Sequence, residues 1–295
     1  MERDLAGAYE VDVVDAPRRE QFVRLGNRRY DVTHRALVMG ILNRTRDSFF
    51  APAATFDLDS FLARADELVR GGADLLDVGG VKAGPGEPVS LDEELSRVIP
   101  ALELLRSRFD VAVSIDTWRA EVARAAFGAG AVLGNDISGF ADPDYLAAAA
   151  GAGASVVATH IRLAPRVADP TPVYGDVVEE VRTFLLERRE WARGAGLADD
   201  QIILDAGLDL GKTAAQSLTL LRASSSLAAE GPLLLSASNK TFLGVMFSLE
   251  VLDRRDASLS AAAIGVLGGC RILRVHDVVG TVRVRDLLAT LSEAT

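Results

Sequence analysis

The sequence predicts an eight-stranded parallel α/β barrel preceded by a short N-terminal hairpin, and three observations lead there. The chain has 295 residues, more than one ordinary domain but suited to an α/β barrel, which commonly needs ~250. From residue 36 onward, short apolar runs of strand character alternate eight times with helical patterns, the signature of parallel strands buried on both faces. No linker rich in proline, glycine or serine divides these units. A doubly wound open sheet is the competing arrangement, but nothing marks its glycine-rich dinucleotide turn. The expected organisation is a loosely held leader over 1–20 and one (β/α)8 domain of the TIM-barrel architecture over 21–295.

The elements follow in order. Residues 1–20 are mixed in charge and lack the apolar core of a signal peptide. Phe22 to Val32 reads as a hairpin turning at Gly26-Asn27. Arg18, Arg19, Arg24, Arg28, Arg29 and Arg35 make this stretch basic, and we read it as a solvated face that caps the closed end of the barrel. The predicted strands are Ala36–Leu42, Asp74–Val78, Val111–Ile115, Ala131–Leu133, Ser155–Thr159, Gln201–Leu204, Leu233–Ser236 and Arg271–Val275. Ser90-Leu-Asp-Glu93 is a capping box ahead of Leu95, Val98, Ile99, Leu102 and Leu105, which recur at helical spacing. Val177, Val181, Phe184 and Leu185 form a second stripe, closed by Gly194 and Gly196.

Composition narrows the function. A content of 49% hydrophobic and 25% charged residues is that of an ordinary globular chain, and no apolar run approaches a membrane span. The formal net charge of −10 argues against a nucleic-acid surface. One cysteine, Cys270, excludes an intrachain disulfide and a thiolate zinc cluster, and three histidines leave little for another metal cage. A soluble, cytoplasmic protein is expected. Only three of 32 basic residues are lysines: Lys82, Lys212 and Lys240.

A barrel builds its active site at the C-terminal ends of its strands. There the sequence places Asn43 to Phe49, Gly79 to Gly86 with Lys82 and Pro85, Asp116-Thr117, Asn135-Asp136, His160-Ile-Arg162, Asp205 to Lys212 with Leu210, Ser238-Asn239-Lys240, and Arg274 with His276-Asp277. Each carboxylate or amide alone reads most simply as a helix cap. Eight polar ends together, holding all three lysines, are harder to dismiss. Asp116, Asn135, Asp205 and Lys240 can hydrogen-bond a flat heterocycle rich in nitrogen and carbonyl groups. Asn43, Arg274 and His276 come from the first and last strands, neighbours in a closed barrel, and suit a phosphate or diphosphate. Gly207 to Thr213 resembles a phosphate-binding P-loop, but position 206 is alanine where that pattern needs glycine. Schiff-base chemistry at Lys240 leaves the asparagines, Arg274 and His276 without a purpose.

These residues resemble dihydropteroate synthase from about residue 36 to 290. The motifs stand as Met39-Gly-Ile-Leu-Asn43 through Asp47-Ser-Phe49, Asp77-Val-Gly-Gly80, Ser114-Ile-Asp-Thr117, Asn135-Asp-Ile-Ser138, Ile203-Leu-Asp205 through Gly211-Lys212, Ser238-Asn-Lys240, and Arg274-Val-His-Asp277. The resemblance implies condensation of p-aminobenzoate with a dihydropterin methyl diphosphate, releasing pyrophosphate with help from Mg²⁺. It implies that Asp116, Asn135, Asp205 and Lys240 hold the pterin, and that Asn43, Arg274 and His276 handle the diphosphate, with Asn43 near the metal. Phe49, Lys82, Pro85, Leu210, Ser238 and Asn239 would belong to the aminobenzoate pocket and its loops. The resemblance also implies a homodimer through the last helices.

The departures from the family pattern cluster. Arg44 and Arg46 stand where the family usually has valine and proline, and Val81-Lys82-Ala83-Gly84 replaces a Glu-Ser-Thr-Arg stretch. Asp205-Ala-Gly207 replaces Asp-Pro-Gly, Asp209 a glycine, Leu210 a phenylalanine, and Asn239 an arginine. Two functions follow: a working synthase in which Lys82, Arg44 or Arg46 supplies the lost loop charge, or a divergent pterin-binding paralogue resembling the second, inactive synthase-like proteins of actinobacteria. Lysine substitutes poorly for a bidentate arginine, so a rate penalty is expected even in the first. A pterin-dependent methyltransferase and a scaffold with a vestigial pocket are weaker alternatives.

Overall fold

A computed structural model describes residues 20–44 and 58–293. Residues 1–19 of the predicted leader, and with them Arg46, Asp47, Ser48 and Phe49, lie outside these described residues. Eight parallel strands close a barrel: β3 Leu37–Asn43, β4 Leu75–Gly79, β5 Ala112–Asp116, β6 Leu133–Asp136, β7 Ser155–Thr159, β8 Ile202–Asp205, β9 Leu233–Leu235 and β10 Cys270–Val275. Each pairs with the next in chain order, and β10 closes on β3. The hairpin is β1 Phe22–Leu25 paired antiparallel with β2 Arg28–Asp31, and Gly26 supplies the positive φ of its turn.

The barrel has two apolar layers. Its interior is filled at the lower end by Leu37, Met39, Leu75, Leu133, Val157, Ile203, Leu234 and Ile272. The hairpin's Val23 and Leu25, with Val32 behind it, join that same cluster, so the hairpin plugs the bottom of the barrel. Its arginines do not gather into one basic patch: Arg24 and Arg29 pair with Asp200, Arg28 with Asp110, and Arg35 with Asp74 and Asp286. The outward strand faces pack on helices that include α1 Leu58–Arg70, α2 Leu91–Arg108, α3 Ala120–Gly128, α4 Tyr145–Gly151, α5 Val177–Gly194, α6 Ala214–Arg222, α7 Ser224–Ala228, α8 Thr241–Phe247, α9 Arg255–Leu267 and α10 Val278–Glu293. Ser90 caps α2 by accepting from the Glu93 backbone N–H, but the Glu93 carboxylate turns to Arg97 rather than back to Ser90. Asp176 caps α5. No helix among the described residues is long and apolar enough to cross a membrane.

Seven of the eight predicted strands are displaced at one or both ends. The largest shift is at β6, predicted to end at Leu133 and observed to run to Asp136. The others gain Asn43, Gly79, Asp116 and Asp205 at their C-terminal ends, or differ by one residue elsewhere. Apolar runs mark where a strand is buried in hydrocarbon, whereas the ladder continues into the polar layer that the run omits. These polar end residues therefore belong to the barrel itself rather than to the loops after it.

Candidate active site

Strand periodicity carries the site. Alternate residues face the same side of a strand, so two residues above the inner apolar layer the same face presents Asp77 on β4, Ser114 on β5, Asn135 on β6, Asp205 on β8 and Arg274 on β10. Asn43, Gly79, Asp116 and His276 follow one step higher. Gly79 keeps this layer open, because a Cβ there would lie 3.0 Å from Asn43 Oδ1 and 3.5 Å from Asp116 Oδ2.

Arg274 is the hub. Its Nε donates to Asp77 Oδ2 at 2.6 Å and its Nη2 to Asp116 Oδ2 at 2.7 Å, while Asn135 Nδ2 donates to the same Asp77 oxygen at 3.1 Å. Two carboxylates thus share one guanidinium in a nearly dry site. Burial pushes the Asp116 carboxyl up to about 7 against the pull of Arg274, with Asp77 adding to the rise. Burial disfavours the Arg274 cation, yet the two carboxylates more than compensate and hold it above the ordinary arginine range. Asp77 is fully buried, and its Oδ1 and the Ser114 hydroxyl, register partners on β4 and β5, have no hydrogen-bond partner among the described residues.

The β8 and β9 side supplies the other charges. Asp205 is buried and accepts from the Gly207 N–H at 2.8 Å; burial raises its pKa, with Lys240 opposing. The Lys240 ammonium donates to the Leu208 carbonyl at 2.6 Å, and burial lowers its pKa. Lys212 is a tie rather than a surface charge: it donates to the carbonyls of Gly207, Leu210 and His160 and contacts His160 Nδ1 at 2.9 Å. Burial pushes Lys212 down to about 7, and burial together with the Lys212 charge pushes His160 down to about 3. His276 meets the Ser238 hydroxyl through Nδ1 at 3.0 Å, and burial beside Arg274 pushes it down to about 4. It is therefore a neutral imidazole near pH 7. Asn239 holds a left-handed backbone at φ 58°, and its carbonyl accepts from Arg254 at 3.0 Å.

Sequence reasoning brought Asn43, Asp116, Asn135, Asp205, Lys240, Arg274 and His276 to one end of the barrel; the structure seats all but two of them on strands, with His276 directly after β10 and Lys240 beyond β9 at the start of α8. It missed Asp77, which the second motif contains; the available signal was a carboxylate in an otherwise apolar buried strand. Asp74, Asp136 and Asp277, polar groups at the limits of the predicted strands, act structurally. Asp136 accepts from the Ser138 and Phe140 N–H groups, Asp74 from Val38 N–H and Arg285, and Asp277 from Gly280 N–H. The buried Arg44 guanidinium donates to the Arg97 carbonyl of α2 at 2.7 Å. Lys82 is half-buried, and Pro85 and the neighbouring glycines are exposed.

Among the described residues no three His, Cys, Asp or Glu side chains gather into a metal site. Asn43 Oδ1 faces the opening above Gly79 and is a hard oxygen donor, which fits a magnesium ion held mainly by substrate phosphates and water. A separate cavity of about 350 Å³ lies at the opposite end, between the hairpin and the residues before β8 and β9. Its charges are largely paired, Arg24 and Arg29 with Asp200 and Arg193 with Asp199, so we place the chemistry at the strand ends instead.

Comparison with known proteins gives the family. The family model for pterin binding enzymes matches residues 39–276. An inactive dihydropteroate synthase 2 of Mycobacterium leprae is 42% identical over 264 residues, covering 87% of this chain and 91% of the relative. The dihydropteroate synthase of Synechocystis is also 42% identical, covering 86% and 89%. Among solved structures, Yersinia pestis dihydropteroate synthase with a sulfonamide drug superposes with a TM-score of 0.88 at 36% identity, covering 93% of this chain and all of that one. The Burkholderia cenocepacia enzyme complexed with 7,8-dihydropteroate gives 0.83 at 39% identity, covering 93% and 98%.

Proposed function

The chain belongs to the family of pterin-binding enzymes, and from that premise we propose that it binds a dihydropterin methyl diphosphate in the barrel mouth and condenses it with p-aminobenzoate, releasing pyrophosphate. The observation that carries this reading is the Arg274 bridge between Asp77 and Asp116, with Asn135 on the same carboxylate. It sets the ionisable acceptor Asp116 one step above an amide and a guanidinium, the mixture of acceptor and donors that a pterin edge requires. Asp205 and Lys240 supply a further acceptor and donor across the floor. As the C–O bond to pyrophosphate breaks, negative charge grows on the departing oxygens. Arg274, Asn43 and neutral His276 would stabilise that charge with hydrogen bonds. Asn43 would hold Mg²⁺, which supplies Lewis-acid assistance to the leaving group. The aniline nitrogen then bonds to the exposed methylene and loses its proton.

A second reading is binding without condensation. It is favoured by the β4 loop, which lacks the family's Ser-Thr-Arg, and by the inactive name of relatives at 42% and 40% identity. Calorimetry with the pterin diphosphate, followed by coupled pyrophosphate release with p-aminobenzoate, separates the two. Pterin binding with pyrophosphate release supports condensation, binding without release supports the paralogue, and neither would defeat both. If the loop is the defect, replacing Lys82-Ala83-Gly84 with Ser-Thr-Arg raises the rate.

We also propose a homodimer. Ile264, Leu267, Leu287 and Leu291, on α9 and α10, are exposed apolar side chains that a second copy would cover.

A further inference from the structure

The β7–α5 connection, residues 160–176, is long for a barrel loop and is tied down at both sides. Toward β8, Arg162 forms a two-pronged ion pair with Asp169 of the same loop, and Tyr174 donates its hydroxyl to the Gly211 carbonyl at 2.9 Å. Gly211 lies directly against this pair, since a Cβ there would stand 2.9 Å from Arg162 Cβ. Toward the other side the loop reaches β4. The Arg166 backbone N–H donates to the Ala83 carbonyl at 2.9 Å, its Nη2 to Glu87 at 2.6 Å and its Nη1 to Lys82 at 3.4 Å.

Two features make this contact specific. Strands β4 and β7 are not neighbours; β5 and β6 stand between them in the barrel. A bridge between their following loops must therefore cross the rim on the side where Asp116 and Asn135 rise from the floor. Arg166 also sits at φ 67°, a left-handed conformation that a β-carbon disfavours and that must be held by its surroundings. The loop it grips, residues 82–87, includes Lys82-Ala83-Gly84, one of the stretches in which the family pattern is rewritten.

We propose that Arg166 is a positioning residue that clasps the β4 loop to the β7 loop over the Asp116–Asn135 side of the mouth, so that a pterin enters and leaves when this clasp opens. The planar guanidinium reaches the Lys82 and Glu87 carbonyls from two separate nitrogens, a fixed spacing that the compact ammonium of lysine does not reproduce. The inference rests on the pterin reading above, and it concerns the rate of access rather than the contacts the pterin makes.

The test uses the full chain and a fluorescent 6-hydroxymethylpterin as ligand. In Arg166→Ala, amide hydrogen exchange over residues 82–87 should accelerate. Stopped-flow association and dissociation rates should both rise about tenfold, the change that ~1.4 kcal/mol makes in a rate, with little change in their ratio. Arg166→Lys should fall between Ala and the unaltered chain. A variant that only loosened the fold would weaken affinity without speeding association. Faster exchange with unchanged pterin rates would overturn the gate while leaving pterin binding intact. No pterin binding by the unaltered chain would instead defeat the pterin reading, and the gate with it.

Discussion

Replacing Asp116 with asparagine keeps the shape of the floor and removes one ionisation. Asp77 and Asp116 share a single guanidinium, so with both ionised the trio carries an excess negative charge in a nearly dry site. Burial raises the Asp116 pKa from 3.8 to about 7. Between those values the folded chain keeps a proton that the unfolded chain has released. The unaltered protein therefore has the full benefit of this group below its unfolded pKa and loses it as pH rises through 7. At 1.36 kcal/mol per unit the loss is at most about 4 kcal/mol, less where water and Arg274 screen the charge. The substituted amide cannot ionise, so the stability of Asp116→Asn relative to the unaltered chain should climb between pH 4 and pH 8. Urea denaturation across that range reads it through the fluorescence of Trp118 and Trp191. Pterin binding should move the other way. Affinity of the unaltered chain should improve as pH rises toward 8 and Asp116 becomes a full acceptor. The variant should bind more weakly by roughly 10- to 100-fold, the worth of a hydrogen bond to a charged group, and without that pH trend. A stability difference that stays flat, or parallel pH profiles for binding, would refute the shared-guanidinium account.

Arg274→Ala leaves buried Asp77 without its cation and should destabilise the fold by about 3–5 kcal/mol in denaturant titrations, as well as abolish pterin binding. Lys212→Met strands the carbonyls of Gly207 and Leu210 and should cost about 1–3 kcal/mol by the same measurement. Gly79→Ala puts a methyl 3.0 Å from Asn43 Oδ1, so diphosphate affinity measured by calorimetry should fall while the melting temperature changes little. Leu287→Glu places a charge on the exposed face of α10 and should shift sedimentation toward monomer.

The barrel was legible because its signal is repeated: eight apolar runs with room for a helix after each leave one economical closure. The site was legible for a related reason. Asn43, Asp116, Asn135 and Asp205 terminate apolar runs, so the place where hydrocarbon stops is also where the polar layer starts. Asp77 escaped because it stands inside its run, between Leu76 and Val78, where an apolar average hides one carboxylate. Its meaning lies in partners 58 and 197 residues away, Asn135 and Arg274, and no local pattern contains them. Arg166 escaped for the opposite reason. An arginine in a long polar loop is what solvent exposure alone would produce, and only the closed barrel shows that its loop meets residues 82–87.

The two halves of the proposed reaction therefore depend on different kinds of structure. The pterin floor is fixed by strand register: shifting Asp77 or Asn135 would require breaking ladder hydrogen bonds on both sides. On the proposed reading the amine would be held by loops, and hydrogen bonds to backbone carbonyls, three of them from Arg166, hold the rewritten β4 loop. Loop sequence can thus change while the floor is left standing, because the Arg274 bridge uses no loop residue. That independence has a measurable consequence. Restoring Ser-Thr-Arg at positions 82–84 should alter pyrophosphate release and leave pterin affinity nearly unchanged, whereas Asp116→Asn should reduce both. If the loop exchange weakened pterin binding as much as the floor substitution does, floor and rim would form one unit, and loop divergence alone would not account for a pterin-binding chain that had lost condensation.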